Sequence, residues 1–158
     1  MILAVGAVHT HLVRHSLRTF TSLNVRAAEC LDVHYAAVMI GSGATTVNAY
    51  LAQESIADRH RRGLFGDTAL RDCVARYKKA VDKGLLKVMS KMGISVLSSY
   101  RGGMNFEAIG LSRALVNEFF PGVPSRISGI GLSGIARSVL ALHRKAWDED
   151  AVHLPVGG

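Results

Sequence analysis

Three histidines lie within seven positions near the start of the sequence, at His9, His11 and His15. Imidazole nitrogens are common zinc ligands, and His11 and His15 would share one face of a helix because they are four residues apart. The zinc motif HExxH, however, needs a glutamate where this sequence has Leu12. Because no cysteine or carboxylate lies close in sequence to complete a tetrahedral set, we predict ordinary polar contacts rather than a metal site.

A second candidate is the segment Arg101-Gly102-Gly103, which follows a β-prone run. Ligands of α/β enzymes bind past the carboxyl ends of strands. An arginine beside glycine N–H groups could hold a phosphate or a carboxylate there. The sequence favours a structural role in which Arg101 pairs with an acid such as Glu107, and it leaves the anion site as the alternative.

A third candidate is the string GIGLSG at residues 129–134, which matches the dinucleotide-binding pattern GxGxxG. That pattern needs a strand before it, a helix after it, and an acid about 20 residues further on. A helix is predicted to follow, but nearby prolines leave only residues 125–128 for a strand. The acids at 148–150 follow a helix instead of a strand. We therefore expect a glycine-containing loop capped by Ser133, and nucleotide binding stays the minor alternative.

Other catalytic patterns receive no support. The sequence contains no GxSxG elbow, and nothing pairs a histidine with a nucleophile. Cys30 and Cys73 lie far apart and form no CxxC pair, so we expect two reduced, packed thiols. The residues therefore yield no catalytic, cofactor-binding or metal-ligating assignment.

The net charge of +7 raises the question of an anionic partner. One dense basic run, residues 59–62, precedes a predicted helix with five lysines: Lys78, Lys79, Lys83, Lys87 and Lys91. The remaining basic residues are spread out, and an aromatic content of 6% offers few platforms for stacking bases. We expect no nucleic-acid partner, although a basic nucleic-acid-binding module stays an alternative. Because no apolar run reaches the roughly 18 residues of a membrane span, we also expect a cytoplasmic protein without a membrane partner.

These residues must be positioned by elements that alternate along the chain. Strands are predicted at residues 2–8, 21–27, 45–48 and 94–100. Helices are predicted at 9–18, 32–40, 50–62, 106–110, 112–120 and 134–147, together with a long helix that follows a loop at 63–67 and ends at Gly93. Asp67 or Thr68 is expected to cap that long helix.

Strands that alternate with helices predict an α/β fold with parallel strands. The three to four βα repeats are too few for a closed barrel of eight strands. We expect a partial (β/α) barrel-like or open parallel-sheet unit that is incomplete as a free-standing domain.

Several long strings closely resemble the large (alpha) subunit of bacterial, NADPH-dependent glutamate synthase. They are LAVGAVHTHLVRHSLRTFTSLNVRAAE, AVMIGSGATTVNAYLAQE and, most specifically, KVMSKMGISVLSSYRGGMNFEAIG at residues 87–110. The resemblance implies the C-terminal part of the family's central domain, just before the FMN-binding barrel. It also implies that the histidine-rich stretch is scaffold.

The family's large subunit joins a glutaminase domain, this central domain, and an FMN barrel with an iron–sulfur cluster. Ammonia released from glutamine passes through a tunnel to 2-oxoglutarate, and FMN reduces the product to glutamate, with electrons from an NADPH-dependent small subunit. The resemblance implies that none of the family's signature functional residues falls in this chain. We therefore expect no cofactor or metal bound by this segment and no activity of the segment alone.

The resemblance implies a structural role that bridges the glutaminase and FMN domains of a parent chain. We expect residues 1–147 to belong to the central domain and residues 148–158 to start the linker toward the FMN domain. A free-standing α/β protein that binds a phosphorylated small molecule through its glycine-rich loops is the remaining alternative.

Overall fold

The computed structural model describes residues 1–147, which form four short strands and seven helices, with a 3-10 turn after the first helix. In chain order the elements are α1 Ile2–Arg14, the turn Arg18–Phe20, β1 Asn24–Arg26, α2 Val33–Gly41, β2 Thr46–Asn48, α3 Tyr50–Arg61, α4 Leu70–Lys91, α5 Leu97–Tyr100, β3 Ile109–Leu111, α6 Arg113–Phe119, β4 Ile127–Ile130 and α7 Leu132–Ala146. The acids at 148–150 and the predicted linker at 148–158 lie outside the described residues.

The strands form two separate parallel pairs. β1 pairs with β2 in the register Asn24↔Thr46, and helix α2 makes the crossover between them. β3 pairs with β4, with a bulge between Ile109 and Leu111, and α6 makes that crossover. Four βα repeats without a closed barrel in residues 1–147 confirm the predicted incomplete α/β unit.

Two short helices begin at side-chain caps that the sequence makes recognisable. The Asp32 carboxylate accepts a hydrogen bond of 2.8 Å from the backbone N–H of Tyr35 at the start of α2. The Ser112 hydroxyl accepts one of 3.3 Å from Leu115 at the start of α6. Helix α4, by contrast, begins at Leu70 with Ala69 at its N-cap and no side-chain cap, so the expected cap by Asp67 or Thr68 is wrong.

Helix α1 connects the two halves of the unit. Its Val5 belongs to a core with α2, whose Met39 is fully buried. On the other side, the Thr10 hydroxyl donates to the carbonyl of Phe119 at 3.0 Å. A Cβ on Gly6 would lie 2.8 Å from Cδ1 of Phe120, so the helix meets the end of α6 where it has no side chain.

The prediction of a strand at residues 2–8 is wrong, because this run forms the first half of α1. Val5, Gly6 and Thr10 are its buried residues, which is a helical spacing. A short continuous apolar run does not distinguish a buried strand from a buried helix by its period. The tertiary contacts with Met39 and Phe120 decide in favour of the helix.

Three further local predictions fail around residues 94–130. The run 94–100 contains the short helix α5, whose buried Tyr100 hydroxyl donates to the carbonyl of Ala37 at 3.1 Å. Residues 106–110, predicted to be helical, enter β3, and residues 127–130 form the unexpected strand β4. These two strands depend on each other, since their pairing is non-local and leaves little trace in a local pattern.

The chain exposes more surface to solvent than a compact protein of its mass. Its accessible surface is 10899 Å², whereas a compact monomer of 17.0 kDa would expose roughly 7,700 Å². Much of the apolar exposure lies on β3, β4 and α7: β4 and α7 have no buried residue. This half of the unit lacks a covering layer within residues 1–147.

Candidate functional site

Three basic side chains from separate segments meet beside the C-terminal end of α2. We call His9, Arg18 and Arg101 the basic cluster. His9 lies within α1, not at a junction between the strand predicted at residues 2–8 and the helix predicted at 9–18, and Arg18 belongs to the turn that follows α1. Arg101 comes directly after α5. The cluster therefore depends on α1, α2 and α5 being packed together.

Arg18 holds His9 in one orientation. The Arg18 Nε donates to His9 Nδ1 at 3.0 Å, while its terminal nitrogens donate to the carbonyls of Thr21 at 2.6 Å and Gly43 at 2.8 Å. Since Nδ1 accepts, the imidazole is neutral and its proton lies on Nε2. Partial burial, and then the charge of Arg18, lower the pKa of His9.

Two glycines make room for the His9 ring. A Cβ on Gly43 would lie 2.5 Å from Cγ of His9, and one on Gly102 would lie 3.0 Å from Cε1. Both residues also have positive φ angles, +120° and +69°, which favour glycine. The glycine-rich strings around residues 43 and 102 therefore serve the packing of His9.

The N–H groups of the Arg101-Gly102-Gly103 segment are already engaged. Gly102 donates to the carbonyl of Ile40 at 3.0 Å, and Gly103 donates to that of Tyr100 at 3.1 Å. The segment is thus attached to the end of α2, and its glycines offer no cradle of free amides. Any anion held here would be bound by the guanidinium of Arg101.

The expected ion pair between Arg101 and Glu107 is wrong. Glu107 lies 3.5 Å from Arg126 instead, and no carboxylate of residues 1–147 comes within 4.0 Å of Arg101 or Arg18. The Nε of Arg101 is buried and has no hydrogen-bond partner among these residues. Burial, and then the charge of Arg101, lower the pKa of Arg18. The cluster holds two guanidinium groups without a counter-charge from the described part of the chain.

His11 and His15 follow the predicted helical spacing. Their rings lie 4.3 Å apart at 45°, at the end of α1. Among residues 1–147, no group of three or more His, Cys, Asp or Glu side chains is arranged to hold a metal ion. The assignment of these histidines as scaffold stays a prediction.

The glycines of the GxGxxG string have packing roles that the structure shows directly. A Cβ on Gly129 would lie 2.5 Å from the carbonyl carbon of Gly110, where β3 and β4 approach each other. A Cβ on Gly134 would lie 2.9 Å from Cβ of Ile130. Helix α7 begins at Leu132 with Gly131 at its N-cap and no side-chain cap, so the expected cap by Ser133 is wrong. The string is a strand-to-helix junction whose glycines allow close backbone contact.

The cysteines and the basic run show no special chemistry. Cys30 and Cys73 are both free thiols, as predicted, and burial raises the pKa of Cys30. Arg61 and Arg62 lie 3.4 and 3.6 Å from the carboxylate of Asp58. The five lysines of α4 are all exposed, which is typical of a solvated helix face.

An uncovered apolar stripe runs along α7. Leu132, Val139 and Leu142 are 56%, 58% and 66% exposed, and they share one side of the helix with Ile135, which packs on the core around Val116. We call Leu132, Val139 and Leu142 the α7 stripe. Its continuity with a buried cluster indicates a face that is built for packing.

The cross-strand pair Ile109 and Ile127 is also exposed, at 67% and 61%. No helix among residues 1–147 is both long enough and apolar enough to cross a membrane.

An incomplete α/β unit with an uncovered apolar layer is typical of a segment from a larger multidomain protein. The sequence matches the family described as the glutamate synthase central domain over residues 1–112. The chain belongs to this family, which confirms the resemblance.

Individual relatives agree with this assignment. The chain is 73% identical over 157 residues to the glutamate synthase [NADPH] large chain of Azospirillum brasilense, covering 99% of this chain and 10% of the relative. It is 42% identical to the large chain of Bacillus subtilis, with 94% of this chain and 10% of the relative covered. It is 40% identical to the ferredoxin-dependent glutamate synthase of Spinacia oleracea, with 95% and 10% covered. The chain thus spans about a tenth of the length of these relatives.

Sequence reasoning singled out Arg101 and His9 but missed Arg18. Arg18 is nine positions after His9, outside any helical or strand period, and its contact with His9 arises from the turn after α1. Only the two glycine-rich strings, around residues 43 and 102, indicated a point of close packing in the fold. The sequence contains no spacing that would have joined Arg18 to Arg101.

Proposed function

We propose that this chain is a structural segment of a glutamate synthase large subunit that bridges the glutaminase and FMN-binding domains. In the parent enzyme, glutamine, 2-oxoglutarate and a two-electron reductant would be converted to two molecules of glutamate. The segment would help to keep the domains in register, so that ammonia passes between them without escape. Its family membership and its share of about a tenth of each relative support this role.

The observation that carries the proposal is the uncovered α7 stripe together with exposed Ile109 and Ile127. Burying such side chains stabilises a protein by about 25 cal/mol per Å² of apolar surface. Neighbouring domains of the parent chain are the proposed cover. We also propose that residues 1–147 are the central-domain part, that 148–158 lead toward the FMN domain, and that the parent is cytoplasmic.

The parent's cofactors would be held outside this segment. Iron–sulfur clusters need grouped cysteine thiolates, and Cys30 is instead a buried thiol with a raised pKa. The donor set of residues 1–147 thus does not fit a cluster. FMN, the cluster and an NADPH-dependent small subunit are assigned to the rest of the parent complex. The isolated chain should neither bind FMN nor form glutamate, and purification with stoichiometric flavin would overturn the proposal.

A chimera tests the bridging role. The matching tenth of the Azospirillum large chain would be replaced by this chain, and a double variant would carry Val139→Gln and Leu142→Gln. We expect the unmodified chimera to form glutamate from glutamine, and the double variant to lose that coupling and release ammonia. Leu140→Gln, a change of the same kind off the α7 stripe, is the control. Unchanged coupling in the double variant would contradict the proposal.

A further inference from the structure

We propose that the basic cluster binds one oxyanion group, a carboxylate or a phosphate, through the guanidinium of Arg101. Arg101 Nε is buried without a partner among residues 1–147. Leaving a buried, charged donor unpaired costs more free energy than leaving a neutral one. An oxyanion that accepts from this nitrogen removes that cost.

The neighbours of Arg101 favour a negative ligand over any other. After burial, the charge of Arg101 lowers the pKa of Arg18. The donors of Arg18 are directed at His9 and at the carbonyls of Thr21 and Gly43. Arg18 therefore adds positive charge while it keeps the walls of the site in place. Glu107, the acid expected to neutralise Arg101, is engaged with Arg126.

His9 offers a second donor beside the Arg101-Gly102-Gly103 segment. Its Nδ1 accepts from Arg18, so its Nε2 carries the proton, and this edge of the ring lies against Gly102. Gly102 directly follows Arg101, which brings the imidazole edge and the guanidinium to one loop. An arginine fork beside a neutral imidazole donor suits one carboxylate or one phosphate.

The oxyanion could be a free small molecule or an acidic side chain of a neighbouring domain in the parent chain. Both sources offer the same chemistry to Arg101. An interdomain carboxylate would fix the angle between domains at α2, whereas a free anion would make the segment respond to ligand concentration.

The first arm of the test uses the 158-residue chain, with inorganic phosphate and acetate as probes. The ¹⁵Nε–¹H signal of Arg101 and the ¹³Cε1 signal of His9 would be followed by NMR during titration. We expect saturable shifts of both signals, and a rise in the pKa of His9 when the anion is bound. Arg101→Gln should weaken binding by about tenfold or more. Arg101→Lys, which keeps the charge but loses the fork, should bind with intermediate affinity.

Arg76→Gln is the matched control, because Arg76 is exposed on α4. It should leave the titration unchanged, and circular dichroism of each variant checks that the fold is retained. The proposal is overturned if neither probe shifts the Arg101 and His9 signals, or if Arg101→Gln and Arg76→Gln behave alike.

The second arm distinguishes the sources by repeating the titration in the chimera with the Azospirillum large chain. Loss of probe binding there, with Arg101 Nε–H shifted as in the anion-bound chain, indicates a carboxylate of a neighbouring domain. Retained probe binding indicates a free anion as the ligand. The first arm does not depend on the bridging role. If either the bridging role or the oxyanion site is contradicted, the other proposal can therefore still be tested.

Discussion

The substitution Gly129→Ala tests the role assigned to the GxGxxG string. A Cβ at this position would lie 2.5 Å from the carbonyl carbon of Gly110 and closer still to its oxygen. The distance between this Cβ and the carbonyl carbon must increase by about 1 Å to reach an ordinary carbon–carbon separation of roughly 3.5 Å. Because Gly110 lies on β3 and Gly129 on β4, this opening separates the two strands that form this sheet within residues 1–147.

Overpacking of this kind costs about 2 kcal/mol, which lowers the melting temperature by roughly 4–8 °C for a chain of this size. Thermal unfolding gives the shift, and amide hydrogen exchange should show that protection is lost first in β3 and β4. Gly131→Ala is the matched control: its Cβ would lie 3.5 Å from the Ser112 hydroxyl, at a φ of −93°. Equal melting temperatures for the two variants would refute the packing argument.

Three further predictions follow from other parts of the fold. Asp32→Ala should lower the free energy of unfolding by about 1 kcal/mol because it removes the cap of α2, while Asp32→Asn should lower it much less. Equal urea midpoints for the two variants would contradict the cap. The pKa of His9 is lowered in the folded chain. The contribution of His9 to the free energy of unfolding is therefore complete above about pH 6.5, and it is lost as the pH falls through the pKa that His9 has in the folded chain. His9→Gln should flatten that part of the stability curve, and an unchanged pH dependence would contradict the assigned tautomer. The isolated chain should self-associate through the α7 stripe, and Val139→Gln with Leu142→Gln should shift sedimentation toward monomer; a monodisperse wild-type monomer would contradict the exposed face.

The fold class could be predicted because local patterns suffice for it. The helix at residues 32–40 and the long helix that ends at Gly93 were both predicted from patterns carried by neighbouring residues. Three to four βα repeats and parallel pairing follow from the alternation of strands and helices, although β3 and β4 were not among the predicted strands. The incomplete covering was also expected, and the exposed layer on α7 agrees with it.

The errors fall where distant residues decide the structure. The first apolar run is a helix because Gly6 meets Phe120, more than a hundred positions away. Strand β4 exists because β3 pairs with it, and Tyr100 lies in a helical turn because its hydroxyl reaches Ala37. None of these partners is visible in a local window.

The candidate site was predicted only in part, for the same reason. A nearby acid in sequence suggested an ion pair for Arg101, but Glu107, just before β3, lies 3.5 Å from Arg126, just before β4. The glycines of residues 101–103 looked like an amide cradle, although their N–H groups are bound to other carbonyls. The arginine itself was correctly singled out, and its neighbour Arg18 required the tertiary fold.

Hydroxyl-radical footprinting of Val139 and Leu142 tests the central claim most directly. The isolated chain would be compared with the same segment inside the Azospirillum chimera, with the denatured forms as reference. The account predicts rapid oxidation of both side chains in the isolated chain, diluted until it is monomeric, and strong protection in the chimera. Equal oxidation in the two proteins would show that no neighbouring domain covers this face, and the bridging role would be contradicted.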